Sequence, residues 1–336
     1  MKALFIGGTG IISSAVSSSL VELGWDLYLL NRGNNNTRVP EGAKIIKADI
    51  NDEANVAALI KDHHFDVVAD FIAFVPSQVE RDIRLFKDKT KQYIFISSAS
   101  AYQKPLSDYK VTEYTPLSNP YWEYSRNKIA CEELLINEYR KNAFPITIVR
   151  PSHTYDEYKI PLGVHGNNGS WQVAKRMLEN KPVIIHGDGS SLWTLTHNSD
   201  FAKGFIGLMG NVHAMGEAVN ITSDESLTWN QIYEIIAAAL GVKLNAVHIA
   251  SDYLAASSSY DFTGSLLGDK ANSVVFDNSK LKRLVPGFTA TVRFDQGIRA
   301  LLNNVLSHPE LQEEDKEFDA WCDNIIENYR ASIKKF

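Results

Sequence analysis

Three glycines in four positions, Gly7-Gly8-Thr9-Gly10, separate a short apolar run (3–6) from a helical segment (14–23) that Gly24 closes. A strand that runs straight into a glycine turn and then a helix leaves few folds open. The glycines permit a tight turn and bring backbone N–H groups close to whatever lies at the helix N-terminus, which is a natural seat for a pyrophosphate. Ser13 stands where a third glycine is common, and it is small enough for the helix to pack close to the strand. The turn is expected to bind a dinucleotide through Gly7, Thr9, Gly10, Ile11 and Ile12.

The alternation continues. Strand-like runs are predicted at 26–30, 44–48, 66–71, 92–97 and 146–149, with helices at 53–61, 78–86 and 124–140. Strands that alternate with helices imply βαβ units, hence an α/β chain with a Rossmann-like, doubly wound parallel sheet whose ligand lies at the strand C-termini. After Pro151 the rhythm changes: 153–192 is rich in Gly, Pro, Asn and aromatics around one predicted helix (171–179). A helix at 198–210, a late strand at 218–221, a helix capped by Thr228 and a helical tail from 279 complete the pattern. The expected division is a dinucleotide domain at 1–153 to which 194–222 returns, and a smaller mixed α/β substrate domain from 154–193 and 223–336.

The formal charge is −6, from 34 Lys and Arg against 40 Asp and Glu, with no basic run. That balance disfavours a phosphate-backbone binder, so nucleic acid is not an expected partner. Cys131 and Cys322 lack metal-ligand spacing; no metal site is predicted, and a reducing, cytoplasmic setting is the simplest account. No apolar run approaches a membrane span, and none resembles a signal peptide. His63 and His64 read as a solvated turn.

The second predicted strand ends in Asn31-Arg32. An acid there would hold the ribose hydroxyls of NAD; an Arg accommodates the 2′-phosphate of NADP, so the reading leans to NADP over NAD. Asp49-Ile50 is placed to border the adenine, although Asp49 can equally cap the helix at 53–61. Tyr124 and Lys128 lie four apart in a helix opened by Pro120 and therefore share a face. A cation beside a phenol favours its ionised form and makes it a base. Tyr155 and Lys159 have the same spacing, but Pro151 and Pro161 bracket them outside any helical pattern. Ser98, at the end of the fifth strand, can hold a substrate oxygen; Ser97 is expected on the cofactor side and Ser100 on the substrate side.

Taken together these residues resemble the extended short-chain dehydrogenase/reductases, the NAD(P)-dependent epimerase/dehydratase superfamily. Gly7-x-x-Gly10, Asp49-Ile50, Phe71-Ile72-Ala73, the Ser98/Tyr124/Lys128 set, Arg150-Pro151-Ser152-His153 and His186-Gly187-Asp188-Gly189 follow in the family's order. The resemblance implies that Phe71, Ile72, Ala73, Pro151 and Ser152 border the cofactor, with Pro151 and Ser152 beside the nicotinamide. It also implies oxidation or reduction at a carbinol carbon, giving an epimerase, dehydratase or dehydrogenase, and a homodimer built on the helix of Tyr124. Two departures concern the substrate. Trp193 stands where the family commonly grips a nucleotide-sugar diphosphate with Arg, and His153 where epimerases carry Asn. A Trp cannot neutralise a pyrophosphate but can stack on a sugar, so a small carbohydrate is expected against His153, Trp193 and Ser100. The superfamily also includes chloroplast stem-loop RNA-binding proteins, which supplies the alternative of a binder on the same fold.

Overall fold

The computed structural model describes residues 1–33, 37–258 and 260–333. Its centre is a seven-stranded sheet of β1 (Lys2–Ile6), β2 (Asp26–Asn31), β3 (Lys44–Lys47), β4 (Val67–Asp70), β5 (Tyr93–Ile96), β6 (Ile146–Pro151) and β7 (Ala218–Ile221), ordered β7-β6-β5-β4-β1-β2-β3. Every neighbouring pair is parallel. The interior strands β4 and β5 are buried along their whole length, as a parallel sheet covered on both faces requires. The predicted strands are recovered within a few residues. Strand β4 stops short of Phe71 because the Asp70 carboxylate accepts the backbone N–H groups of Ile72 and Ala73 and turns the chain.

One face of the sheet packs on α1 (Ile11–Glu22) through Val16 and Leu20, together with Phe201, Phe205 and Leu208 of the helix Asn198–Leu208. The other face packs on α2 (Glu53–Leu59), α3 (Pro76–Phe86) and α4 (Glu123–Asn142), which bury Val56, Val79, Cys131 and Leu135. Burial pushes the Cys131 thiol up to about 12, so it behaves as a small hydrophobe.

A separate apolar cluster gathers residues between Ala99 and Ile326, with Trp229, Tyr233, Ile298 and Phe318 among them. It contains strands that were not foreseen: His153–Tyr155 beside Leu195–His197, Val183–His186 beside Ala246–Ile249, and Leu192–Trp193 against Leu227–Thr228. Runs of two to four residues are too short to show a period of two. Thr228 does cap its helix, accepting the Gln231 N–H at 3.1 Å. Residues Thr263–Lys270 form a π-helix, which no periodicity announced. His63 is not simply solvated: its ring stacks on Phe65 at 5.7 Å.

Candidate active site

The glycine turn opens the first half of the site. Gly7 holds φ = +82°, and a Cβ there would meet Ile72 Cγ2 at 2.4 Å; a Cβ on Gly8 would meet Leu29 Cδ2 at 2.5 Å. Gly7 therefore requires glycine, and a side chain at Gly8 would have to displace Leu29. Ser13 does more than fit. Its hydroxyl donates to the Gly7 carbonyl and accepts from the Gly10 N–H, each at 2.8 Å, while Ser17 donates to the Gly8 carbonyl at 2.8 Å. The serine thus fixes the turn that the third glycine elsewhere merely accommodates.

Beyond the turn lies a cleft of ≈ 320 Å³ whose walls include Gly7, Thr9, Asn31, Arg32, Asp49 and Ile50. Asn31 Oδ1 accepts the Gly33 N–H at 3.0 Å, whereas its buried Nδ2 has no partner. Arg32 is exposed and forms no ion pair among the described residues. Asp49 is not the cap of α2, a role taken by Asp52 through the Asn55 N–H. An orphaned amide donor, a glycine turn and a helix N-terminus in one cleft fit the pyrophosphate and adenosine of a dinucleotide.

The second half begins on α4. Lys128 is 1% exposed, and its Nζ donates to the carbonyls of Ala73 (2.6 Å) and Ile96 (2.7 Å), tying the loop after β4 to the end of β5. Its Nζ stands 5.8 Å from the centroid of the Tyr124 ring. The ammonium also braces the loop after β4 against the end of β5. Burial lowers the Lys128 pKa to about 8, from an ordinary 10.5. Because the folded value lies below the unfolded one, the folded chain binds fewer protons between those limits, and stability rises with pH through that window. The stability of the natural chain relative to Lys128→Met should therefore grow between pH 8 and 10.5 by up to about 3 kcal/mol. Denaturant titrations of both proteins at each pH measure this; a pH-independent difference would refute it.

Burial pushes the Tyr124 phenol above its usual range, and a hydrogen bond with the Ser98 hydroxyl opposes that rise. The Tyr124 ring lies between Trp122 (4.9 Å) and Phe74 (6.1 Å). Behind Ser98 runs a chain of hydroxyls: Ser98 and Ser100 are 2.9 Å apart, and Ser125 donates to Ser100 at 2.8 Å. Ser100 therefore supports Ser98, and Ser125, one residue after Tyr124, is a member that sequence reasoning missed. Tyr155 is settled differently: it is 2% exposed, in β-structure, and packed edge-on against Phe294 and His197.

Ser98 and Tyr124 open onto a pocket of ≈ 330 Å³ whose lining also includes Pro151, Ser152, His153 and Trp193. Trp193 is buried, its indole 5.6 Å from that of Trp229 and its Nε1 at 3.4 Å from His153 Nδ1. Burial depresses the His153 pKa to about 3, so its ring is neutral near pH 7. Lys104, Asp269 and Lys270 line the same pocket and were not anticipated. The last two end the π-helix, a conformation often found at functional sites.

The sequence model of the NAD dependent epimerase/dehydratase family matches residues 3–222. The chain belongs to this family. It is 24% identical to 2′-dehydrokanamycin reductase of Streptomyces kanamyceticus over 288 residues, covering 86% of this chain and 80% of the reductase. It is 27% identical to the chloroplast stem-loop binding protein of 41 kDa b of Arabidopsis thaliana over 255 residues, 71% of this chain and 63% of that protein. Among solved structures, UDP-glucuronic acid 4-epimerase from Bacillus cereus, in complex with UDP-glucuronic acid and NAD, superposes with a TM-score of 0.72 at 20% identity, covering 91% of this chain and 99% of that one. As a member of the epimerase/dehydratase family the chain is a nicotinamide-dependent enzyme.

Several residues expected at the cofactor also have partners within the protein. The Ser97 hydroxyl donates to Glu132, which also takes a bidentate pair from Arg150 (Nε to Oε1 at 2.9 Å, Nη2 to Oε2 at 2.5 Å). Arg150 is accordingly buried in the sheet, and only the residues after it reach the pocket. Phe71 packs its ring against Phe5 and Phe205 inside the core. Ile12, partly buried, packs against that core, and the Ala73 carbonyl accepts from Lys128. Ile72, by contrast, borders the dinucleotide cleft.

Proposed function

We propose that this family member oxidises or reduces a carbinol carbon of a small carbohydrate, with Tyr124 moving the hydroxyl proton and NADP as the preferred dinucleotide. The observation that carries this reading is the convergence of Ser98 and Tyr124 on one small pocket that Pro151 and Ser152 also line. A bound nicotinamide supplies hydride acceptance and return. Everything else falls to the chain. Ser98 holds the substrate oxygen and hydrogen-bonds the phenol, Tyr124 takes or gives the proton, and Lys128 keeps the loop after β4 against β5. The three possible outcomes, epimerisation, dehydration and release of the ketone, share this proton step. At ≈ 330 Å³ the pocket is at the small end of ligand clefts, which favours a sugar without an attached nucleotide.

The preference for NADP is supported by Arg32, which forms no ion pair among the described residues, and by Asn31 where an acid would serve NAD. Arg32→Ala should weaken NADPH binding by about tenfold while changing NADH binding by less than about twofold. Equilibrium dialysis against each dinucleotide measures the ratio, and an equal loss for both would contradict the assignment.

A second reading, an RNA binder on the same fold, is favoured only by the likeness to the stem-loop binding protein. The acidic balance and the hydroxyl relay behind Tyr124 weigh against it. Structured RNA in place of the dinucleotide in the same dialysis separates the two, since a backbone binder must release its RNA steeply as salt is raised.

A further inference from the structure

The substrate pocket carries charge that proton transfer does not use. Lys104 is 4% exposed, and its ammonium makes no hydrogen bond or ion pair among the described residues. Among the described residues Lys270 Nζ reaches only the Ser265 carbonyl at 3.4 Å and Asp269 Oδ2 at 3.9 Å, both at the outer limit of such contacts. Asp269 is the pocket's single acid against these two lysines, and His153 adds no charge. Ammonium groups withdrawn from water without close partners are costly unless an anion joins them. Burial lowers the pKa of both lysines, as expected of cations left short of partners.

The backbone holding these groups is fixed. The Lys270 carbonyl accepts from His186 Nε2 (3.1 Å), Ser191 Oγ (3.3 Å) and Trp229 Nε1 (3.1 Å). Asn119 ties the Gly268 carbonyl at 2.7 Å to that of Ser100 at 2.8 Å, so the π-helix is joined to the loop that follows Ser98. Gly264 lets the π-helix lie against Trp122, whose Cδ1 would be 2.2 Å from any Cβ there.

We infer that the substrate of this pocket carries an anionic group, a carboxylate or a phosphate monoester, seated between Lys104 and Lys270 while its hydroxyl faces Ser98 and Tyr124. This rests on the proposed carbohydrate reading and adds the charge of the substrate to it. Trp193 cannot neutralise an anion, whereas the two lysines lining the same pocket can.

The test is binding to the chain loaded with NADP⁺, read by quenching of tryptophan fluorescence, since Trp122 and Trp193 line the pocket. The probes are glucose, glucuronate and glucose 6-phosphate. At least one anionic sugar should bind about tenfold or more tightly than glucose, and whichever does so identifies carboxylate or phosphate. Lys104→Met and Lys270→Met should each remove about tenfold of that preference, whereas Lys104→Arg keeps it and Asp269→Asn enlarges it. Thermal melting of each variant confirms that it is folded. Equal binding of all three sugars, or a preference that survives both methionine variants, overturns the inference. An anionic preference in a chain that neither reduces NADP⁺, oxidises NADPH with the matching ketones, nor epimerises or dehydrates these sugars would instead defeat the redox reading and leave the anion seat standing.

Discussion

Tyr124→Phe is expected to lower turnover by roughly 10³-fold and to leave dinucleotide affinity within about twofold. The substitution removes only the phenolic hydroxyl. The ring remains between Trp122 and Phe74, and the glycine turn, Asn31 and Arg32 are untouched. General acid–base groups contribute about 10²–10⁴-fold, and neither Ser98, His153 nor Lys128 is suited to replace the lost group. Ser98 is an alcohol, His153 is neutral and hydrogen-bonded by Trp193, and the Lys128 ammonium is directed at two backbone carbonyls. Steady-state kinetics beside dinucleotide titration separates the two effects. A variant that keeps a tenth or more of the turnover would remove Tyr124 from the proton step.

The second large effect concerns stability. Glu132→Gln should destabilise the chain by about 3–5 kcal/mol, because it leaves Arg150 as a buried cation without its carboxylate. Glu132 is 0% exposed and Arg150 4%, and their bidentate pair also engages Ser97 and, through Arg150 Nη1, the Tyr102 hydroxyl at 3.0 Å. Tyr102 in turn donates to Asn220 of β7 at 2.7 Å, so the network links α4, β6 and the sheet edge. Replacing both charges at once, Glu132→Leu with Arg150→Met, should recover most of the loss, since matched apolar side chains avoid the desolvation that the ion pair must overcome. Denaturant unfolding of the single and double variants makes the comparison; a single variant within about 1 kcal/mol of the natural chain would contradict it.

Much of this was legible in the amino-acid order. The parallel sheet could be read because its strands are continuous apolar runs that end in turn residues, and the glycine turn because backbone geometry leaves glycine little substitute. Tyr124 was separable from Tyr155 by its helical context, the upstream Ser98 and the ordered motifs around it. Residues whose roles depend on distant partners were not legible. Ser97 and Ser98 are neighbours in sequence, yet alternation sends one hydroxyl to Glu132 and the other to the pocket. Lys104 and Lys270 are far apart in the chain and belong to no motif, and only the fold brings both to one pocket. Ser13 looked like a tolerated departure and proved to be the clamp of the turn, because its hydroxyl meets two backbone groups that a glycine cannot bind.

The central claim, nicotinamide chemistry at a carbinol carbon governed by Tyr124, is tested most directly by following a label. The chain is mixed with NADPH deuterated at its transferring carbon and with ketone forms of glucuronate and glucose 6-phosphate, and the products are examined by mass spectrometry. The account predicts deuterium on the new carbinol carbon with the natural chain and almost none with Tyr124→Phe. Label that remains on the dinucleotide with every ketone, or that is transferred equally by the variant, would contradict it.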